Sequence, residues 1–246
     1  VSAALSPPLI ERRFRPMKAV AGDLPGDGWA FELKWDGMRA IATVAGGVLR
    51  VRSSNQLEVT ESFPELAALP AALPPLDLVL DGELVAFGAD GRPSFGRLQQ
   101  RIHRRGPSVA AAAAAVPVVY VVFDVLHVDG HDVMALPWRD RRRLLDGLVD
   151  AGPAWRTTEW HDDGPALLAV VLERSLEGVM AKRVDSRYEQ GRRASTWRKV
   201  KVRRHQEFVV GGWLPGAGHR HRLGSLVLGV HDPTGFTYVG RVGSGL

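Results

Sequence analysis

No stretch of this chain restricts its folding more than Trp29-Ala-Phe-Glu-Leu-Lys-Trp-Asp-Gly-Met-Arg39. Side chains on a strand point to opposite faces in turn, so Phe31, Leu33 and Trp35 share one face while Glu32, Lys34 and Asp36 share the other. One face suits a core and the other is a charged row. Asp36-Gly37 is a turn signal, and Arg39 with Ala40-Ile-Ala-Thr-Val44 reads as a return strand. The segment therefore predicts a hairpin that holds Lys34 near its turn between two carboxylates. Taken alone, Lys-x-Asp-Gly is also compatible with a solvent-facing lysine in a salt-bridged hairpin.

Further along, Gly46-Gly47 turns the chain into a third strand, 48–53, whose Arg50 and Arg52 form a basic face. Residues 62–69 suit a short helix, 76–87 a strand with Asp81 and Glu83 on one side, and 95–105 a helix. The alanine run 110–115 reads as a helix by propensity or as a loosely held surface segment, and carries no chemistry. The β-branched run 116–126 predicts a buried strand, ended by a turn at Asp129-Gly130. Helices are expected at 137–150 and 165–176, and strands at 179–183 and 195–202. Short strands alternating irregularly with helices point to an α+β fold rather than a doubly wound parallel sheet. Beyond Arg203-Arg204-His205 come three strands divided by glycine-rich turns, like the opening of a small barrel that needs five strands to close. The expected division is a first domain at 1–204 and part of a barrel domain at 205–246.

With 246 residues and 45% hydrophobic content the chain can bury a substantial core. A net charge of +5 favours an acidic partner such as nucleic acid or nucleotide, although arginine-rich, alanine-rich usage also reflects genome bias. The absence of cysteine excludes disulfides, thiolate zinc sites and a cysteine nucleophile. No apolar run reaches membrane-spanning length, so a soluble, cytoplasmic protein without membrane attachment is expected.

Five strings occur in a fixed order: Lys34-Trp-Asp-Gly-Met-Arg39, Asp81-Gly-Glu83, Phe123-Asp124, Glu177-Gly-Val-Met-Ala-Lys182 and Trp197-Arg-Lys-Val-Lys201. In that order they resemble the covalent nucleotidyltransferases, and most closely the ATP-dependent DNA ligases of the compact bacterial, break-repair and end-joining kind. The stretches Thr60-Glu-Ser-Phe-Pro-Glu-Leu66 and Ser94-Phe-Gly-Arg-Leu-Gln-Gln-Arg101 are similar to DNA ligases rather than capping enzymes. The resemblance implies an adenylation domain of antiparallel sheets flanked by helices, followed by an incomplete OB-type barrel. It implies a lysine that attacks the α-phosphate of ATP, passes AMP to a DNA 5′-phosphate and seals the nick with a 3′-hydroxyl.

On that resemblance Lys34 is the nucleophile. A free lysine, with a pKa of about 10.4, is protonated at neutral pH, so neighbouring cations and partial burial are needed to activate it. Lys182, Lys199 and Lys201 are expected to supply those charges and to stabilise the phosphates. Glu32 matches the residue that reads the adenine amino group, Phe123 the aromatic that stacks on the purine, and Arg39 a nucleotide-binding position. As a bare sequence feature Phe123 also reads as a core residue of a buried strand. Glu83 and Glu177, with Asp36 in support, are expected to hold Mg2+ or Mn2+, and the glutamate matching Glu83 has an alternative role on the ribose hydroxyls.

Ten basic residues stand against two acidic ones between Lys182 and Arg204. Some belong to the pocket, and Arg192, Arg193, Arg203 and Arg204 are expected to track the backbone of nicked double-stranded DNA. The runs 101–105 and 139–143 read either as further DNA contacts or as solvated helix faces. His219 to Arg222 are a further candidate for touching DNA. A monomer, with end-joining, primase or nuclease modules as partners, completes the expectation.

Two departures from the family stand out. Where many DNA ligases carry Ser-Arg-Asn-Gly, this chain has Ser53-Ser54-Asn55-Gln56, and Arg52 is expected to reach the space left at Ser54. The family's final motif, which orients the leaving pyrophosphate, would lie beyond Leu246, so the chain is expected to stop inside its second domain and, as a complete molecule, to react slowly or not at all with free ATP while better retaining the sealing of nicks that already carry AMP. The rival readings are an RNA ligase or capping-type guanylyltransferase, and a nick-binding module without turnover.

Overall fold

The computed structural model describes residues 7–102, 104–202, 207–216, 223–233 and 235–243. The chain divides into two compact units, Val1–Val202 and Arg203–Leu246. In the first, the strands are β1 (Lys18–Ala21), β2 (Trp29–Leu33), β3 (Met38–Ala45), β4 (Val48–Ser53), β5 (Leu78–Ala86), β6 (Val118–Val128), β7 (His131–Asp132), β8 (Trp155–Thr157), β9 (Trp160–His161), β10 (Gly178–Arg183) and β11 (Arg193–Lys201). Its helices are α1 (Leu69–Ala72), α2 (Phe95–Gln99), α3 (Ser108–Ala115), α4 (Trp138–Leu148) and α5 (Gly164–Glu173). No helix among the described residues is long and apolar enough to cross a membrane.

Two mixed sheets carry these strands, in the orders β1-β11-β10-β2-β9 and β4-β3-β5-β6-β7, with β8 added in parallel to β6. This corrects the hairpin expected at Asp36-Gly37, because β2 and β3 belong to different sheets. The backbone of β2 is satisfied by β10 and β9, and that of β3 by β4 and β5. Between them the chain crosses from one sheet to the other, with the Lys34 amide donating to the Gly178 carbonyl at 2.9 Å. A Cβ at Gly37 would collide with the Leu84 carbonyl and the Glu83 side chain, so this glycine serves close approach. The Gly46-Gly47 hairpin between β3 and β4 forms as expected, both glycines having positive φ.

Alternation sorts the side chains into three cores. One face of the six-stranded sheet (Ala40, Ala42, Leu80, Leu84, Tyr120, Val122) packs under Phe63, Leu66, Leu69, Leu98 and Leu145. The opposite face (Ile41, Val79, Phe123, Leu126) meets Met17, Tyr188 and Trp197. The outer face of the five-stranded sheet (Phe31, Val179, Ala181) is covered by Leu167 and Val171 of α5. Each fully buried side chain of this size contributes about 1.5–3 kcal/mol. Helix α5 starts where Asp163 accepts from the Ala166 amide at 2.8 Å with Pro165 in its first turn.

The helices expected at 62–69 and 95–105 are shorter than their patterns. Thr60–Ser62 and Pro64–Leu66 are single 3-10 turns, and α2 ends at Gln99. Pro64 lacks the amide that a continuous helix through Phe63 needs.

The second unit is an antiparallel meander of β12 (Val209–Pro215), β13 (Leu223–Asp232) and β14 (Gly235–Gly243). It fits part of an OB-type barrel.

Candidate active site

On the inner face of the five-stranded sheet, Glu32 of β2, Met180 and Lys182 of β10, and Trp197 and Lys199 of β11 line a cavity of about 300 Å³. Register puts them side by side, Glu32 opposite Met180, Met180 opposite Lys199, and Lys182 opposite Trp197. From the six-stranded sheet come Arg39, Glu83 and Phe123, and from the chain around β1 come Pro16, Met17 and Lys18. A volume of that order is at the small end for binding a compact organic ligand.

Lys34 stands at this cavity just past the end of β2. Its Nζ lies 2.5 Å from Glu177 Oε2, and Lys201 Nζ lies 2.9 Å from Glu177 Oε1. Deeper in, Lys182 is almost fully buried, donates to Glu32 at 2.8 Å and to the Phe123 carbonyl at 3.2 Å, and sits 4.5 Å and 4.4 Å from the Phe123 and Trp197 ring centroids. Burial pushes the Glu32 carboxyl up and the Lys182 ammonium down, each opposed by the partner's charge. Lys199 lines the cavity with no carboxylate partner among the described residues.

Arg39 is held by a bidentate pair with Asp81, both contacts 2.6 Å, and its guanidinium lies 4.5 Å from the Phe123 centroid. Against the pull of burial, the Asp81 carboxylate raises the Arg39 pKa further. Asp81 also accepts from the Tyr188 hydroxyl at 2.5 Å, and that hydroxyl accepts from the Met17 amide at 2.9 Å. Phe123 thus has two cations 4.5 Å from its ring centroid and also packs in the core. It is a buried strand residue, as its apolar neighbours imply, and it also lines the cavity. Glu83 accepts no hydrogen bond among the described residues, and burial pushes its carboxyl up to about 8 despite Arg39 and Lys34 nearby.

Other expected residues are elsewhere. Asp36 accepts from the Phe95 amide at 3.2 Å and is not among the cavity-lining residues, and no group of three or more metal-ligating side chains exists among the described residues. Arg52 donates to the Arg12 carbonyl at 3.0 Å and the Ile10 carbonyl at 3.4 Å, tying down the N-terminal segment, while Ser54 lines the cavity. Arg193 lines the cavity too and donates to the Ala19 carbonyl at 2.6 Å, whereas Arg192 is exposed. Arg203, Arg204 and His219 to Arg222 lie outside the described residues.

The two basic runs are corrected in part. Arg101 is fully buried in a bidentate pair with Glu65, and Arg141 in one with Asp124 at 2.7 Å and 2.9 Å. Both serve the fold, because a buried guanidinium needs a paired carboxylate. Met17, Tyr188 and Trp197 belong to the surroundings of the site although no sequence pattern assigns them a role. Trp197 was within reach of the pattern, since it shares a strand face with Lys199 and Lys201, but nothing local marked Tyr188 or Met17.

Residues 8–201 match the family described as ATP dependent DNA ligase domain. The chain is 41% identical over 236 residues to the multifunctional non-homologous end joining protein LigD of Mycolicibacterium smegmatis, covering 94% of this chain and 30% of that protein. It is 40% identical over 228 residues to a probable DNA ligase of Streptomyces griseus, covering 88% of this chain and 44% of the relative. The chain therefore spans less than half the length of these relatives. Among solved structures, the mycobacterial DNA ligase D complexed with ATP and MES aligns with a TM-score of 0.68 at 36% identity, covering 95% of this chain and 73% of that one.

Proposed function

Because the chain belongs to the ATP-dependent DNA ligase domain family, we propose that it is the nucleotidyl-transferring part of a DNA ligase acting in end-joining repair. Lys34 Nζ attacks the α-phosphorus of ATP, the bond to the β-phosphate oxygen breaks and pyrophosphate leaves. The AMP passes from the lysine to the 5′-phosphate of nicked DNA, and the adjacent 3′-hydroxyl then displaces AMP to close the strand. The observation that carries this reading is the position of Lys34, at the mouth of a cavity lined by Lys182 and Lys199 and gripped by a carboxylate that a second lysine shares.

Each neighbour has a role this chemistry requires. Phe123 on the cavity wall offers apolar ring surface to a purine, with the buried Trp197 packed behind it and Glu32 as the polar reader once Lys182 turns to the nucleotide. Lys182, Lys199 and Arg39 place positive charge where phosphate charge builds up during in-line displacement. A divalent cation, Mg2+ or Mn2+, fits the donors present, because Glu83 is an unpartnered carboxylate on the cavity wall and such ions commonly take one or two carboxylates with phosphate and water oxygens. Glu83 would hold it, with Glu177 next to Lys34, and its charge would offset that of the phosphates. Nicked double-stranded DNA is the acceptor, with Arg192, Arg203 and Arg204 on its backbone. We further infer a cytoplasmic monomer that works with other end-joining modules, the relative from Mycolicibacterium smegmatis being described as a multifunctional end joining protein.

The test is incubation with α-labelled ATP, peptide mapping of the label, and sealing of a nick that already carries AMP. Label on Lys34 and closure of the pre-adenylated nick are expected. A chain that neither labels nor seals overturns the reading, and preference for GTP or for an RNA acceptor moves it to the capping or RNA-ligase class.

A further inference from the structure

We propose that Arg156 is a phosphate-binding residue, poised over the rings of Trp35 and Phe87 to take a phosphate group brought to the Lys34 end of the cavity. The proposal rests on the ligase reading and adds a subsite to it. Strand register places the residue. Arg39 pairs with Glu83, Glu83 with Val121, and Val121 with Arg156, so one row runs across β3, β5, β6 and β8. Trp155 points into the core on the outer face of this sheet, so its neighbour Arg156 projects from the face that carries Arg39 and Glu83. Strands about 4.8 Å apart put β8 about 10 Å from β5, a gap that an arginine and a phosphate together span.

The guanidinium is held in place without being used up. Its carbon lies 5.4 Å from the Trp35 ring centroid and 5.6 Å from that of Phe87, and the two rings meet edge to face at 6.3 Å. Trp35 is fixed by its Nε1, which donates to Thr158 Oγ1 at 3.0 Å, and it lines the cavity immediately after Lys34. Arg39, Arg101 and Arg141 commit their forks to carboxylates. Arg156 is exposed and, among the described residues, makes neither a hydrogen bond nor an ion pair. A planar donor fork restrained by aromatic faces loses little freedom on binding, and its geometry suits phosphate oxygens.

Phosphate reaches such a position from two sources, the tail of ATP or the 5′-phosphate of the nick. The experiment separates them with Arg156→Gln, which removes the charge, and Arg156→Lys, which keeps charge but not the fork. One arm compares binding of nicked duplexes with a 5′-phosphate and with a 5′-hydroxyl at several salt concentrations. The other measures the ATP concentration that half-saturates labelling of Lys34.

In Arg156→Gln we expect one arm to weaken about tenfold, with Arg156→Lys intermediate. If the 5′-phosphate advantage disappears and the log–log salt slope falls by about one, the DNA end is the ligand. If the ATP requirement rises instead, the ligand is the triphosphate. Both variants within twofold of wild type in both arms, at unchanged melting temperature, overturn the proposal. A wild-type chain that neither labels Lys34 nor seals a pre-adenylated nick counts against the ligase reading alone, because duplex binding is measured without turnover.

Discussion

Lys34 and Lys201 grip opposite oxygens of one carboxylate, Glu177, at 2.5 Å and 2.9 Å. An ammonium bound in this way points at its partner, so the nitrogen must shed a proton and turn before its lone pair meets phosphorus. Glu177 therefore sets the starting position of the nucleophile, and an error of about 1 Å in such a position can cost roughly 100-fold in rate. Glu177→Gln is expected to slow labelling of Lys34 at saturating ATP by about that factor, with the far-ultraviolet dichroism unchanged. Lys201→Ala, which leaves the Lys34 contact in place, should slow it less. Labelling of Glu177→Gln within threefold of wild type would remove the carboxylate from the mechanism.

Glu83 makes the apo protein sensitive to pH. Its carboxyl is raised by burial to about 8 from an ordinary value of 4.5, so between those limits the folded chain holds a proton that the unfolded chain has released. Stability from the neutral side chain is fully present below about 4.5 and is lost as pH climbs through about 8. Glu83→Gln cannot ionise and lacks this loss. Thermal melts from pH 5 to 8.5 should show the wild type falling relative to Glu83→Gln, and parallel curves would show that Glu83 does not titrate in this window.

Asp124 is the only carboxylate paired with the fully buried Arg141 among the described residues. Removing one partner of such a pair leaves a charge without compensation and costs about 3–5 kcal/mol. Asp124→Asn is expected to lower the unfolding free energy, read from urea titration, by that much. Arg143→Ala, at a side chain 78% exposed beside Asp140, should change it by less than about 0.5 kcal/mol. Equal effects from the two would mean that the run 139–143 is not divided into core and surface as described.

Strands were legible where the residue pattern has period two. Residues 48–53, 179–183 and 195–202 form strands close to where alternation placed them, and the family resemblance of the five strings grouped Lys34, Glu83, Phe123 and Lys182, which line one cavity. Alternation does not say which sheet a strand joins, because pairing depends on partners distant in the chain. That is why Trp29–Leu33 and Met38–Ala45 read as a hairpin. Charge runs were illegible for a related reason. Arg141 and Arg143 look alike until Asp124, on another element, makes one of them interior. Short β1 escaped notice because Lys18-Ala-Val-Ala offers too few residues for a pattern, yet its parallel pairing with β11 brings Met17 and Lys18 to the cavity.

Gly37 tests the corrected picture of that crossing directly. As a hairpin residue it would need a left-handed backbone, and substitution would act through φ. The structure gives it another reason, since an added Cβ overlaps the Leu84 carbonyl and the Glu83 side chain, one a rigid backbone atom and the other part of the site. Gly37→Ala must then push the crossing segment away from β5, at a cost of about 1–3 kcal/mol for overpacking, and carry Lys34 and Glu83 apart. Lys34 labelling should fall by at least tenfold even well below the melting temperature. An alanine variant that melts and labels like wild type would place the chain farther from Leu84 than described, and would reopen the hairpin for residues 29–44.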